Sequence, residues 1–93
     1  MVGLCYGQGA AKQRLAKGVD YAAQGRFAEA RVEFEKALKA DPFNESSKDS
    51  LRTIQDVTDK KIRSETVMHL FKGAAYAIKG RENEAIIEYT KAI

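Results

Sequence analysis

The sequence predicts an all-α fold built from helical hairpins. Three observations support this prediction: apolar residues recur at three- and four-residue spacing, the 93-residue chain has a single proline, and one stretch of the chain repeats another. Valine, isoleucine and threonine nowhere alternate with polar residues over the length of a strand, so a β fold has little support. With 44% hydrophobic and 31% charged residues, the composition indicates one globular domain rather than a disordered chain.

The repeated stretch is an internal duplication. Residues 15–37 align without a gap to residues 70–92, which lie 55 positions later. An aromatic residue, Phe34, returns as the aromatic Tyr89. Such agreement indicates that the two segments fold in the same way. The identical residues are Leu15, Lys17, Gly18, Tyr21, Ala22, Gly25, Arg26, Glu29, Ala30, Glu33, Lys36 and Ala37, which return as Leu70, Lys72, Gly73, Tyr76, Ala77, Gly80, Arg81, Glu84, Ala85, Glu88, Lys91 and Ala92.

Each copy is predicted to form two antiparallel helices. In the first copy, Gly25 ends the first helix because glycine readily adopts the left-handed conformation that a helix end needs. Pro42 ends the second helix, since proline disfavours helical conformation in the residue before it. The residues that share one face are Leu15, Gly18, Val19 and Ala22 in the first helix, and Phe27, Ala30, Phe34, Ala37 and Leu38 in the second.

Small residues explain how these helices can pack. Gly18 and Ala30 allow two helix backbones to approach closely, and the rings of Tyr21 and Phe34 fill the space beside them. A larger side chain in place of Gly18 would push the helices apart. The second copy repeats this arrangement with Gly73, Ala85, Tyr76 and Tyr89.

At these positions the chain resembles the tetratricopeptide repeat family. Arg14 and Lys17 replace the usual Trp and Leu of that family, and the second copy stops before a closing proline and has Glu82 where Phe27 stood. The resemblance implies an α–α superhelix of helical hairpins, and a generic antiparallel helix bundle is the alternative. The residues at the family's offsets are Gly18, Tyr21, Ala30, Phe34, Ala37 and Pro42, followed by Gly73, Tyr76, Ala85, Tyr89 and Ala92.

The resemblance divides the chain into four segments. An N-terminal extension covers residues 1–10, a first repeat covers 11–44, an inserted helix covers 45–65, and a second repeat, truncated at its end, covers 66–93. The layout, with an extended helix between two repeat copies, resembles the tetratricopeptide domains of immunophilin co-chaperones.

The insert itself is predicted to be helical, because it contains no glycine or proline. The simplest prediction is one extended helix from near Asn44 to Lys79, which would hold the two hairpins apart; a new helix that starts at Ser64 is the alternative. Asn44 or Ser47 is expected to cap the start. The narrow apolar stripe of the insert consists of Leu51, Ile54, Thr58 and Ile62.

No group of residues has the pattern of a catalytic or metal site. Cys5 is the only cysteine, which excludes an internal disulfide and a cysteine-based zinc site. His69 is the only histidine, and Glu65 is a lone carboxylate four residues before it. We therefore expect no enzyme activity, no metal and no cofactor, and we expect His69 at a helix surface or groove edge.

The charge pattern gives weak support for nucleic-acid binding. The net charge is +3, and the basic and acidic residues are interspersed. The one dense basic run is Lys60, Lys61 and Arg63, for which a solvated helix face is the favoured interpretation. No segment has the apolar length of a transmembrane helix. We expect a soluble protein and favour the cytoplasm, although the sequence does not determine the compartment.

By the resemblance, the first helices of the two repeats line a groove that holds a partner peptide or helix. Chaperone-binding members grip a terminal carboxylate with a Lys and an Asn, but those positions hold Leu15 and Val19 here, so that clamp is absent. An apolar groove instead suits an amphipathic helix. The implied groove residues are Lys12, Leu15, Val19, Ala22, Ala23, Val67, Leu70, Ala74, Ala77 and Ile78.

Two interpretations of these residues stay open: they line a groove for a partner, or they form a core that neighbouring helices bury. The leading function is a protein–protein interaction module or scaffold. The alternatives are a structural homo-oligomerisation unit with a self-filled groove and a weak nucleic-acid binder. The last helix has Ile86, Tyr89, Ala92 and Ile93 to bury and no following repeat to cover them, which leaves two alternatives. Either the natural chain continues past Ile93, or a second copy covers them in a homodimer, for which exchange of the C-terminal helices is the hypothesis.

Overall fold

The fold consists of helices alone in the part of the chain that the structure describes. The computed structural model describes the backbone of residues 2–93 and the side chains from residue 9 onward, so the side chain of Cys5 lies outside the described residues. The all-α prediction is confirmed. The segment 1–10 differs from a simple extension, since the first helix already starts at Val2. The helices are α1 (Val2–Ala23), α2 (Phe27–Ala40), α3 (Glu45–Thr58), α4 (Ser64–Ile78) and α5 (Glu82–Ala92).

Helices α1 and α2 form the first hairpin, and α4 and α5 form the second. Gly25 and Gly80 turn the chain between the paired helices with φ angles of 81° and 77°, the left-handed conformation that glycine adopts without strain. Both turns close with the same hydrogen bonds, because the N–H groups of Arg26 and Arg81 donate to the carbonyls of Tyr21 and Tyr76. The duplication in sequence is therefore a duplication in structure.

The hairpins close where glycine meets an aromatic ring, as the sequence predicts. A Cβ atom built on Gly18 would lie 2.5 Å from Cε1 of Phe34, and one built on Gly73 would lie 2.6 Å from Cε1 of Tyr89. Real Cβ atoms do not approach other atoms so closely. Only glycine therefore permits each ring to lie against the facing helix.

The prediction of one extended helix from Asn44 to Lys79 is wrong, because the chain leaves the helical path after Thr58. Lys60 has a φ of 63°, and the N–H of Lys61 donates to the carbonyl of Asp56 at 2.9 Å. This bond, together with the one from the Lys60 N–H to the Val57 carbonyl at 3.2 Å, closes the helix end as a Schellman motif. Here a lysine occupies the left-handed position that glycine normally fills.

The two middle helices, α3 and α4, begin in different ways. Asn44 caps α3, since its side chain accepts a hydrogen bond from the Ser47 N–H at 2.8 Å. The N-cap of α4 is Arg63 in an extended conformation, and its side chain makes no capping bond. Ser64, the predicted cap of a new helix, is instead the first helical residue.

The expectation that the insert holds the hairpins apart is also wrong. After the turn of residues 41–44, α3 runs back along α2, and the turn after Thr58 then brings α4 directly against α1. The rings of Phe34 and Phe71 stack with their centroids 5.8 Å apart and their planes 26° from parallel. The buried core that joins the hairpins and α3 consists of Val19, Ala22, Ala30, Phe34, Ile54, Val57, Val67 and Phe71.

Candidate protein-interaction cleft

A polar contact between the helices recurs in the two hairpins. Nη1 of Arg14 lies 3.1 Å from Oε1 of Glu33, and Nδ1 of His69 lies 2.9 Å from Oε1 of Glu88. Both pairs join the first helix of a hairpin to the second, and both carboxylates are largely buried. His69 is thus half-buried and has a hydrogen-bond partner, which the sequence analysis missed. The sequence did contain a signal for this contact. A shift of 55 residues places Arg14 at the position of His69 and Glu33 at the position of Glu88.

This pairing affects the acid–base behaviour of the second hairpin. The hydrogen bond with His69, assisted by the ammonium of Lys91 at 3.2 Å, holds the pKa of Glu88 below its ordinary value. The pair joins the two helices of the second hairpin. No cluster of three or more His, Cys, Asp or Glu side chains able to hold a metal occurs among the described residues.

Half of the predicted groove residues line one cleft of about 380 Å³ between the two hairpins. Its walls come from α1, α3, α4 and α5, and among the described lining residues only Asp49 is charged. We call this site the interhairpin cleft. The predicted groove residues that line it are Leu15, Val19, Ala74, Ala77 and Ile78, and the others are Ser46, Asp49, Ser50, Phe71 and Tyr89.

The other predicted groove residues lie elsewhere. Ala22 and Val67 are fully buried in the core, and Lys12 is exposed on α1. Ala23 lines a second cleft of about 340 Å³. Leu70 is 37% exposed on α4. The groove and core interpretations therefore each describe part of the set, and Val19, which is 3% exposed, belongs chiefly to the core.

The second cleft is more polar than the interhairpin cleft. It lies between the ends of α1 and α4, and both negatively charged carboxylates and positively charged ammonium groups line it. Mixed charges of this kind are typical of a solvated surface and do not favour an apolar partner. Its lining residues are Asp20, Ala23, Gln24, Lys72, Ala75, Tyr76, Lys79 and Glu88.

One wall of the interhairpin cleft was not predicted from the sequence. Ser46, Asp49 and Ser50 come from the first half of α3, which reaches the cleft because α3 folds back along α2. These residues recur at three- and four-residue spacing, so they form a polar face on α3. The sequence analysis considered only the apolar stripe of this helix, and nothing in the sequence places the first half of α3 at this cleft.

The second hairpin carries an exposed apolar surface that the first hairpin lacks. We call it the open face; it consists of Leu70, Ile78, Ile86, Tyr89 and Ile93, all exposed. The equivalent residues of the first hairpin, 55 positions earlier, are all buried or half-buried. The pair Phe34 and Tyr89 shows the difference best, since the first ring is 0% exposed and the second is 38% exposed. The open face and the interhairpin cleft share Ile78 and Tyr89.

The basic run predicted for a solvated helix face lies in the turn between α3 and α4. Lys60, Lys61 and Arg63 are exposed there, as expected, but they are not helical. Within residues 2–93, no helix combines the length and the apolar character that crossing a membrane requires.

Comparison with known proteins identifies the first hairpin. The family model described as tetratricopeptide repeat matches residues 11–44, which are α1 from Ala11 onward, α2 and the turn that follows. The comparison with curated proteins gave no match, and neither did the comparison with solved structures. Tetratricopeptide repeats are generally protein-interaction modules and are typically non-catalytic.

Proposed function

Because residues 11–44 are a tetratricopeptide repeat, we propose that this chain binds another protein in the interhairpin cleft and has no catalytic role of its own. The supporting observation is the nature of the cleft. It lies where the two repeat copies meet, and apolar side chains form most of its wall. Concave apolar sites with few polar groups are typical of binding sites.

The exposed part of the cleft wall is the part available to a partner. Ile78 is 53% exposed and Tyr89 is 38% exposed, so binding would remove apolar surface from water. Val19, Ala22 and Val67 support the site from within the core, where they pack against other helices. The proposal therefore assigns partner contact to Leu15, Ala74, Ala77 and Ile78 among the predicted groove residues.

The charge of the cleft indicates which peptides it does not suit. Asp49 lies in its wall, and no lysine or arginine lines it among the described residues. A peptide carboxylate would meet a like charge there without a compensating cation. The cleft therefore does not suit the acidic C-terminal tails of chaperones, in agreement with the absence of a carboxylate clamp at Leu15 and Val19.

The test compares two aspartate substitutions of similarly exposed isoleucines. Ile78→Asp places a carboxylate in the cleft wall, whereas Ile87→Asp changes a residue that is 54% exposed on the far side of α5. We expect affinity capture with wild type and with Ile87→Asp to retain the same protein, and capture with Ile78→Asp to lose it. Equal capture by all three chains would refute the cleft as the binding site.

Val19→Asp would not be a suitable test of the cleft. Val19 is 3% exposed, so an aspartate there would bury an unpaired carboxylate in the core and unfold the chain. Ile78 avoids this problem because its side chain is half in solvent.

Self-association is the second candidate, and the exposed Ile86, Tyr89 and Ile93 of α5 favour it. Exchange of α5 between two copies would keep the packing of Gly73 on Tyr89 but form it between chains. Light scattering over a series of concentrations tests this candidate. A mass that stays at one chain, 10.3 kDa, throughout the series would eliminate it.

A further inference from the structure

One connection between helices, residues 59–63, contains neither glycine nor proline. The other connections carry residues that favour a turn. Gly25 and Gly80 take up the left-handed conformation of their turns without strain. The connection between α2 and α3 contains Pro42, which cannot continue a helix, and Asn44, whose side chain caps α3. The connection between α3 and α4 is therefore the one whose sequence does not favour the turn that it makes.

The backbone of this connection is unfavourable in two respects. Lys60 has a φ of 63°, a conformation in which the Cβ atom of an L residue lies too close to the next carbonyl oxygen. Helix α4 also begins without a side-chain cap, because Arg63 makes no capping hydrogen bond. A helical connection would remove both defects, since Lys60 would have a negative φ and the first N–H groups of α4 would bond to carbonyls of the preceding turn.

The sequence of the connection is compatible with a helix that joins α3 to α4. Ile54, Thr58 and Ile62 recur at four-residue spacing, so one side of α3 would continue through the connection. Asp59 and Arg63 are also four residues apart, with the acidic residue first, which is the favourable order for an ion pair within a helix. Only the return of α4 to α1 of the same chain requires the turn.

The contacts of α4 would survive a change of partner chain. Helix α4 packs mainly against α5 and α1 and touches α3 far less. The stack of Phe71 on Phe34 and the buried Val67 belong to the contact between the two hairpins. The first hairpin of a second copy offers an identical surface, so the same contacts can form between two chains.

We propose that two copies of this chain exchange their second hairpins, with residues 59–63 as the hinge and with α3 and α4 joined in one helix. Short connections under strain favour exchange of the segments that they join. The inference goes beyond the proposed function. It also differs from exchange of α5 alone, which would open the unstrained turn at Gly80.

Exchange would change how the interhairpin cleft is assembled. Each cleft of the dimer takes its α1 and α3 walls from one copy and its α4 and α5 walls from the other. A cleft is therefore incomplete without the second copy, and the dimer presents a pair of clefts to its partners.

The first measurement is the mass of the refolded chain. The chain is refolded from urea at high protein concentration and separated by size-exclusion chromatography with light scattering. We expect one species at the chain mass of 10.3 kDa and a second at twice that mass. A dimer that forms on refolding is the expected result, because exchange requires the hairpins to separate first.

The second measurement is a distance within one chain of the dimer. Ser46 of α3 and Ile78 of α4 line the same cleft and are both exposed, so spin labels at these positions lie close together in the monomer. In the joined helix they would be about 48 Å apart, from the rise of 1.5 Å per residue. The labelled chain carries Ser46→Cys, Ile78→Cys and Cys5→Ser, and it is diluted with unlabelled chain before refolding. Double electron–electron resonance then reports the distance within a single chain.

Matched glycine variants locate the hinge. Lys60→Gly relieves the left-handed strain of the turn and weakens the joined helix. It should raise the dissociation constant of the dimer at least about a hundredfold, because the effect enters once for each chain. Lys61→Gly weakens the helix in the same way but relieves no strain, since the φ of Lys61 is not positive. It should raise the dissociation constant less than about tenfold.

Three results would overturn the inference. The first is a mass of 10.3 kDa at every refolding concentration. The second is a dimer in which the distance within one chain equals that of the monomer, since exchange of α5 or a surface contact would then form the dimer. The third is an equal effect of Lys60→Gly and Lys61→Gly, because the strain at Lys60 would then not contribute to exchange.

Discussion

The two hairpins of this chain have the same internal structure and very different surroundings. Within each hairpin, a glycine admits an aromatic ring, a glycine of positive φ turns the chain, and a buried glutamate pairs with the facing helix. The arginine after each turn also lies over a tyrosine ring, at 4.7 Å for Arg26 and 4.9 Å for Arg81. The first hairpin is covered by α3 and α4, whereas the open face of the second is in solvent.

This difference separates the residues that form a hairpin from the residues that join it to other helices. The residues that build a hairpin are the same in both copies, while the residues that join one element to the next have changed. Phe27 packs against the core, whereas its equivalent, Glu82, is exposed at the start of α5. Ala16 is replaced by Phe71, the residue that stacks on the first hairpin. A duplicated unit thus keeps its internal contacts and diverges at its outer ones.

The largest contrast should come from removing the two equivalent rings. Phe34→Ala should lower the free energy of unfolding by about 3–5 kcal/mol, since it empties a fully buried site between α1, α2 and α4. Tyr89→Ala should cost only about 1–2 kcal/mol, because much of that ring is already in water. Urea denaturation followed by circular dichroism measures both. Equal losses would show that the second hairpin is covered in solution.

A smaller contrast is expected at the glycines beneath these rings. Gly18→Ala should destabilise the chain by about 1–3 kcal/mol, because Phe34 is held in place by Phe71 and cannot move away. Gly73→Ala should change stability by less than about 1 kcal/mol, since the exposed Tyr89 can move outward and alanine favours the helix. The same unfolding assay measures both variants. A larger loss at Gly73 than at Gly18 would contradict the comparison.

The smallest expected effect is on the stability of the chain at low pH. It concerns Glu88 of the second hairpin, which pairs with His69. Its pKa is lowered mainly by the hydrogen bond with His69, so its contribution is complete above the ordinary value of 4.5 and is lost as the pH falls below it. Glu88→Gln should therefore lose less stability than wild type between pH 6 and pH 3, a range set by this shift. Urea midpoints at several pH values measure the slope.

The control for the acid-stability experiment is Glu82→Gln, at an exposed position at the start of α5. It removes a carboxylate of the same helix that lies away from His69. We expect its pH dependence to match that of wild type. If Glu88→Gln shows the same slope as wild type, the hydrogen bond with His69 does not contribute to acid stability.

The hairpins were predictable from the sequence because their determinants are local. Gly18 with Phe34 and Gly25 at the turn specify the first hairpin within about one repeat length of chain, and the duplication transfers the prediction to the second. The match of a family model to residues 11–44 confirms the tetratricopeptide resemblance of that segment.

The break after Thr58 was not predictable by the same rules. No glycine or proline marks it, and Lys60 adopts a conformation that non-glycine residues adopt rarely. The position of α3 depends on contacts of Ile54 and Val57 with residues distant in the chain. The composition of the interhairpin cleft follows from that position, and therefore Val19 could not be assigned to core or cleft from spacing alone.

The return of α3 along α2 has a consequence for how such chains can grow. Although 55 residues separate equivalent points of the two copies, α4 still packs directly against α1. This is possible because α3 packs along α2 and does not lie between α1 and α4. Direct stacking of one hairpin on the other therefore does not require that the two follow each other immediately in the sequence. In this chain a whole helix that packs against α2 is inserted between the two copies without separating them in space.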